Sequence, residues 1–173
     1  LIGRLVESKA VVVNTSSVAA RMFGRLNFND LGGVGAFHPL TAYGNAKLGN
    51  ILFTKGLHER FHSRGISTVA FHPGNVATNF AANTRHSLHL MYHTVAKRFL
   101  VPVATGGTRL AHFIVGRPGE AWVSGEYYGT KLTVARTNPM AYDPAVVRRH
   151  WEVSAEMLGS AAPLVERPVG PGS

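Results

Sequence analysis

Cysteine is absent from all 173 residues, which rules out a disulfide scaffold and a thiolate metal site and leaves the redox compartment open. Long apolar runs are missing too. Ala10-Val11-Val12-Val13 and Phe99-Leu100-Val101 fall far short of the roughly 20 residues that a bilayer crossing needs, so no membrane span is expected. No charged-then-apolar leader is recognised, and the expectation is a cytoplasmic protein. Acidic residues are few, 9 against 18 Lys and Arg, for a formal net charge of +9. Such an excess would suit nucleic acid or an anionic membrane. The basic residues are scattered, however, with pairs such as Lys97-Arg98 and Arg148-Arg149 but no run, so no nucleic-acid function is expected. Internal repeats are absent.

Hydrophobic residues make up 45% and charged residues 16% of the chain, which predicts a compact globule of one domain. Lys9 to Asn14 is a β-branched run of buried-strand length, closed by Thr15-Ser16-Ser17. Leu1 to Ser8 reads as the tail of a preceding helix. Residues 18 to 40 have no clean period and read as a long excursion. From Thr41 to His62 the pattern is helical, with Leu48, Ile51, Leu52, Leu57 and Phe61 at helical spacings and Gly65 as the closing residue. Ile66 to Phe71 is a second buried strand, stopped by His72-Pro73-Gly74. Strand, helix and strand in that order make a βαβ unit with parallel strands.

Further on, a helical region is expected over 83 to 98. A clearer helix covers about 105 to 115, with Leu110, Phe113 and Ile114 facing inward and Gly116 ending it. Glu126 to Tyr128 reads as a short last strand. Asp143-Pro144 is an N-cap with a first-turn proline, opening a helix with Val147, Trp151, Ala155 and Leu158 on one stripe. The tail after 158, with Pro163, Pro168 and Pro171, is expected to be disordered.

Three short pieces carry chemistry. Ser16 and Ser17 stand at the carboxyl end of the first strand, where ligands bind in open α/β sheets; a turn or helix cap is the plainer role for either. Tyr43 and Lys47, four residues apart, share one helix face. Pro73-Gly74-Asn75-Val76-Ala77-Thr78 follows the second strand and reads alone as a terminating turn. Taken together, the stretches VVVNTSSVAARMFGRLNFNDL, AYGNAKLGNILFTKGLHERF and FHPGNVATNF resemble the short-chain dehydrogenase/reductase family, and within it the retinol-dehydrogenase-like branch.

That resemblance, covering about residues 1 to 159, implies a doubly wound, Rossmann-like α/β fold present as its C-terminal part. Residues 1–158 would be the catalytic and nicotinamide half, with 159–173 a tail. The implied activity interconverts an alcohol and a carbonyl, of apolar character, by hydride transfer with NAD or NADP. Tyr43 would be the general acid/base, Lys47 would lower its pKa and hold the nicotinamide ribose, and Ser17 would hydrogen-bond the reacting oxygen. Pro73, Gly74, Asn75, Val76 and Thr78 would complete the cofactor contacts with Tyr43 and Lys47. The family's Gly-rich pyrophosphate loop is missing: Gly32-Gly33-Val34-Gly35 follows no β-run and is rejected for that role. The implied partner is therefore a missing N-terminal half, or further copies in a homo-oligomer.

Two other readings stay open. One is a truncated, catalytically incompetent fragment serving only as an interaction module. The other is a zinc hydrolase through His58-Glu59-Arg60-Phe61-His62, an H-E-x-x-H on a helix. Gly65 even suits the extended form of that motif, but Thr68 stands where its third histidine belongs, so no metal is expected. His86, His89 and His93, also at helical spacing, are assigned to a polar face or to substrate-loop contacts.

Overall fold

Two β-branched runs set the centre of the fold in the computed structural model, which describes residues 1–33, 35, 37–74 and 101–159. Helix α1 (Ile2–Glu7) leads into strand β1 (Val11–Thr15), and helices α2 (Ala19–Phe23) and α3 (Pro39–Phe61) lead to strand β2 (Ser67–Phe71). Helix α4 (Val103–Val115), strand β3 (Tyr127–Tyr128) and helix α5 (Pro144–Met157) follow. The strands form one parallel sheet in the order β1-β2-β3, with Val13 opposite Val69 and Phe71 opposite Tyr128. β2 is buried along its whole length. β1 has one neighbour among the described residues, and its Val11 is 40% exposed.

The expected strand–helix–strand unit is therefore present, with each strand starting a little later than the β-branched run. Lys9 turns at φ +48 and Ala10 N–H bonds back to the Leu5 carbonyl, so this corner belongs to the end of α1. Alternate residues of a strand point to opposite faces. Val12 meets the Leu57, Phe61 and Ile66 cluster under α3, while Asn14 donates to Thr54 Oγ1 at 2.9 Å. Val13, Val69, Phe71 and Tyr128 point the other way and pack with Phe113 of α4 and Trp122. Helices thus lie on both faces of a parallel sheet, the doubly wound arrangement that was expected.

In α3 the anticipated residues Leu48, Ile51, Leu52, Leu57 and Phe61 are all buried. Each such side chain contributes about 1.5–3 kcal/mol relative to exposure. The helix begins at Pro39, whose fixed φ suits a first turn. It tightens into a 3-10 turn at His62–Arg64 and stops at Gly65 with φ +98.

Other expectations need correction. The 18–40 excursion contains α2, a five-residue helix with no local apolar period. Of the three α4 residues expected to face inward, Phe113 does, packed among Val69, Phe71, Trp122 and Tyr128, while Leu110 is 36% and Ile114 63% exposed. The Asp143 cap is as expected, its Oδ1 accepting from Ala145 N–H at 2.8 Å. Val147 is buried and Trp151 half-buried, but Leu158 is exposed and Val153 takes a core place instead. α5 ends at Met157, so Leu158 lies past its final turn. The helix expected over 83 to 98 and the tail from 160 on lie outside the described residues, as do His86, His89 and His93. Among the described residues no helix is long and apolar enough to cross a membrane.

Candidate functional site

Ser16 and Ser17 follow β1, Pro73 and Gly74 follow β2, and Lys47 reaches the carboxyl end of β1 from α3. Ser16 N–H donates to the Phe71 carbonyl at 2.8 Å, carrying the ladder one residue past β1. The Ser16 side chain is buried and donates to the Lys47 main-chain carbonyl at 2.8 Å. The strand end thereby holds the turn of α3 that bears Lys47. Ser17 Oγ accepts from Ala19 N–H at 3.2 Å, a cap-like contact at the start of α2. A hydroxyl that accepts a backbone N–H keeps its own proton to donate, so the capping role and the expected catalytic role are compatible.

Lys47 and Tyr43 sit one turn apart, with the ammonium 5.6 Å from the centre of the Tyr43 ring. Lys47 Nζ also donates to the Thr15 carbonyl at 3.3 Å. Burial pushes the Lys47 pKa down from its ordinary value. An ammonium with part of its hydration removed leans on neighbouring dipoles, here the Thr15 carbonyl and the face of the Tyr43 ring.

Helix α2 is packed tightly against this part of α3. A Cβ on buried Gly44 would come within 2.6 Å of the Phe23 carbonyl carbon and 2.7 Å of Gly24 N. Asn138 fastens α2 from the far end of the chain, donating through Nδ2 to the Ala20 carbonyl at 2.9 Å and the Gly24 carbonyl at 2.8 Å. Tyr43 is thus the neighbour of a close helix–helix contact that only glycine permits.

At the end of β2, His72 N–H donates to the Tyr128 carbonyl at 2.9 Å. The Pro73 carbonyl then accepts from the Arg109 guanidinium. Gly74 has φ +98, a left-handed conformation suited to glycine. A Cβ there would meet Arg109 Nη1 at 2.5 Å. Burial, and then the Arg109 charge, hold the His72 pKa below its usual value. Asn75, Val76 and Thr78 lie outside the described residues.

Sequence reasoning missed Asn50, Arg109 and Asn138. Asn50 shares the Lys47 face and donates to the same Thr15 carbonyl at 2.9 Å; the i,i+3 spacing was the available signal. Arg109 and Asn138 act across long sequence separations, and neither carries a local signature. A cavity of about 530 Å³ opens between residues 25–33 and the α3 residues Thr41, Asn45 and Gly49. Ser17, Tyr43 and Lys47 do not line it.

Of the H-E-x-x-H residues, His58 to Phe61 form the last turn of α3 and His62 opens the 3-10 turn that leads to the amino end of β2. His58 Nδ1 shares a hydrogen bond with Ser124 Oγ at 2.9 Å, and His62 Nδ1 meets the Ile66 carbonyl at 3.1 Å. Their rings stack at 4.5 Å. The first imidazole thus ties α3 to the segment before β3, and the second braces the turn between α3 and β2.

No protein-family model matches the chain. It is 35% identical to retinol dehydrogenase 12 of Bos taurus over 161 residues, which takes in 92% of this chain and 49% of that protein. It is 31% identical to retinol dehydrogenase 11 of Homo sapiens over 148 residues, covering 86% of this chain and 45% of that one. The chain is related to the retinol-dehydrogenase-like short-chain dehydrogenases/reductases. It spans about half the length of the relatives it matches. The fold agrees: the crystal structure of an uncharacterized protein from Mycobacterium paratuberculosis matches with a TM-score of 0.60 at 24% identity, covering 89% of this chain and 52% of that one.

Proposed function

We propose that residues 1–158 are the C-terminal, catalytic half of an oxidoreductase that interconverts an alcohol and a carbonyl with NAD or NADP. The observation that carries this reading is the Lys47 ammonium held between the Tyr43 ring and the Thr15 carbonyl, at the carboxyl end of a parallel strand. Relatives named for retinol, an apolar alcohol, support an apolar substrate.

The residues present suit the nicotinamide end of a dinucleotide. Gly74 offers main chain without a Cβ at the end of β2, one strand away from the end of β1 where Lys47 is anchored. Tyr43, Lys47, Pro73 and Gly74, with Asn75, Val76 and Thr78, would hold that end. The cofactor, when bound, supplies the hydride acceptor or donor. In the oxidative direction the Tyr43 phenolate takes the proton of the substrate hydroxyl. Lys47 stabilises that phenolate through its positive charge. Ser17 donates its hydroxyl proton in a hydrogen bond to the same substrate oxygen as charge develops there.

Replacing Tyr43 by Phe tests the reading in whichever assembly turns over an alcohol with a dinucleotide. Losing a positioned general acid/base costs about 10² to 10⁴ in rate, with the circular dichroism spectrum unchanged. Turnover within a factor of about three of the parent would remove Tyr43 from the mechanism. Among the described residues β1 pairs on one side only, and that edge suits a further strand, from elsewhere in the protein or from another copy of this chain.

A further inference from the structure

We infer that Asn50 is a positioning residue for the Tyr43–Lys47 pair, acting through the Thr15 main-chain carbonyl; the inference rests on the oxidoreductase reading. A carbonyl oxygen only accepts, so the Asn50 amide must present its nitrogen to it. The two lone pairs of Thr15 are shared unequally, Asn50 Nδ2 at 2.9 Å and Lys47 Nζ at 3.3 Å. The shorter bond goes to the neutral donor. The Lys47 backbone is meanwhile fixed by buried Ser16, so the ammonium cannot close on Thr15 by moving the helix. The effect is a loosely tethered charge, kept at the strand end yet available to Tyr43 and to a ligand oxygen.

The surroundings leave few other claimants for that charge. Among the described residues no carboxylate forms an ion pair with Lys47, and burial is what lowers its pKa. Tyr43 faces it from its own helix, and β1 presents the Thr15 carbonyl. Removing the Asn50 amide frees the whole acceptor capacity of Thr15 for Lys47. A carboxylate at position 50 goes further, adding an opposite charge on the same helix face. Both changes tighten the hold on the ammonium and withdraw it from Tyr43.

The test is competitive trace acetylation of the full 173-residue chain, read lysine by lysine by mass spectrometry across pH, with Asn50→Asp and Asn50→Leu. The Lys47 pKa should rise by about one unit in Asn50→Asp and by a smaller step in Asn50→Leu. A residue with a purely structural role would lower folding stability and leave that titration in place. Should either variant fail to fold, the other decides. Lys47 titrating within about 0.2 unit of the parent in the folded variants would overturn the inference. In an active assembly, the acid limb of kcat/KM for alcohol oxidation should move to higher pH as Tyr43 loses its partner's charge. An active assembly whose turnover survives Tyr43→Phe would sink the oxidoreductase reading, and the acetylation profile would still decide the role of Asn50.

Discussion

Replacing Gly44 by Ala sets two opposed effects against each other inside one helix. Alanine is the better helix former by about 1 kcal/mol. Against that gain, the new methyl would stand 2.6 Å from the Phe23 carbonyl carbon and 2.7 Å from Gly24 N. Ordinary contacts of this kind lie at about 3.5–4.0 Å, so the end of α2 must retreat by roughly 1 Å. Both obstacles are backbone, so no rotamer change relieves them. Retreat also stretches the bonds from Asn138 to Ala20 and Gly24, at 2.9 and 2.8 Å. Asn138 is 5% exposed, and a buried donor left unpaired costs about 1–3 kcal/mol. The steric and hydrogen-bond losses win, for a net destabilisation of about 1–3 kcal/mol.

Gly49, in the same helix, is the internal control. A Cβ there would meet only His150 Nε2, at 3.4 Å, an ordinary contact. Gly49→Ala should therefore be neutral or stabilising by up to about 1 kcal/mol. Urea titrations followed by circular dichroism at equal protein concentration give both values. Equal stability of the two variants would refute the close α2–α3 contact beside Tyr43.

Three further outcomes are expected. Gly74→Ala should weaken dinucleotide binding and lower stability by about 1–2 kcal/mol, since an L-residue at φ +98 is strained and Arg109 is displaced from the Pro73 carbonyl; calorimetry and thermal melts that both match the parent would contradict it. Burial lowers the pKa values of His58, His72 and His150 from 6.5. The unfolded chain then takes up these protons first, so stability present above pH 6.5 should fall on acidification below it; a melting temperature that stays flat or rises from pH 7 to 5 would reverse that sign. The isolated chain should self-associate and bind NAD(H) or NADP(H) no better than about millimolar. A monomer by light scattering with micromolar affinity would show that it needs no second component.

What was legible beforehand was whatever local pattern controls. The β-branched runs gave β1 and β2, the helical spacing of Leu48, Ile51, Leu52, Leu57 and Phe61 gave α3, and the Tyr43–Lys47 spacing placed both on one face. Ser17 was legible as a hydroxyl at a strand end, and it does lie beside the strand residue that holds Lys47. What escaped depends on distant partners. α2 is five residues long and is tied by an Asn more than a hundred positions away, so no window around it carries the signal. Leu110 and Ile114 fit an inward stripe by period, but period cannot say what will be there to receive it. Arg109 reached Pro73 only once α4 was set against the sheet end.

The side of β1 that has no partner strand among the described residues sets limits on anything that docks there. Ser16 N–H reaches the Phe71 carbonyl and the Ala10 carbonyl receives Ser67 N–H, so even-numbered residues of β1 point their polar groups toward β2. Residues 11, 13 and 15 therefore point theirs outward, by the alternation of a parallel ladder. The outward carbonyl of Thr15 is already taken by Lys47 and Asn50. A docking strand can pair along Val11 and Val13 and with the Thr15 N–H, but not with the Thr15 carbonyl. Beyond it the seam must splay open where Lys47 and Asn50 hold that carbonyl, and that leaves a notch between strand ends whatever the sequence of the incoming strand.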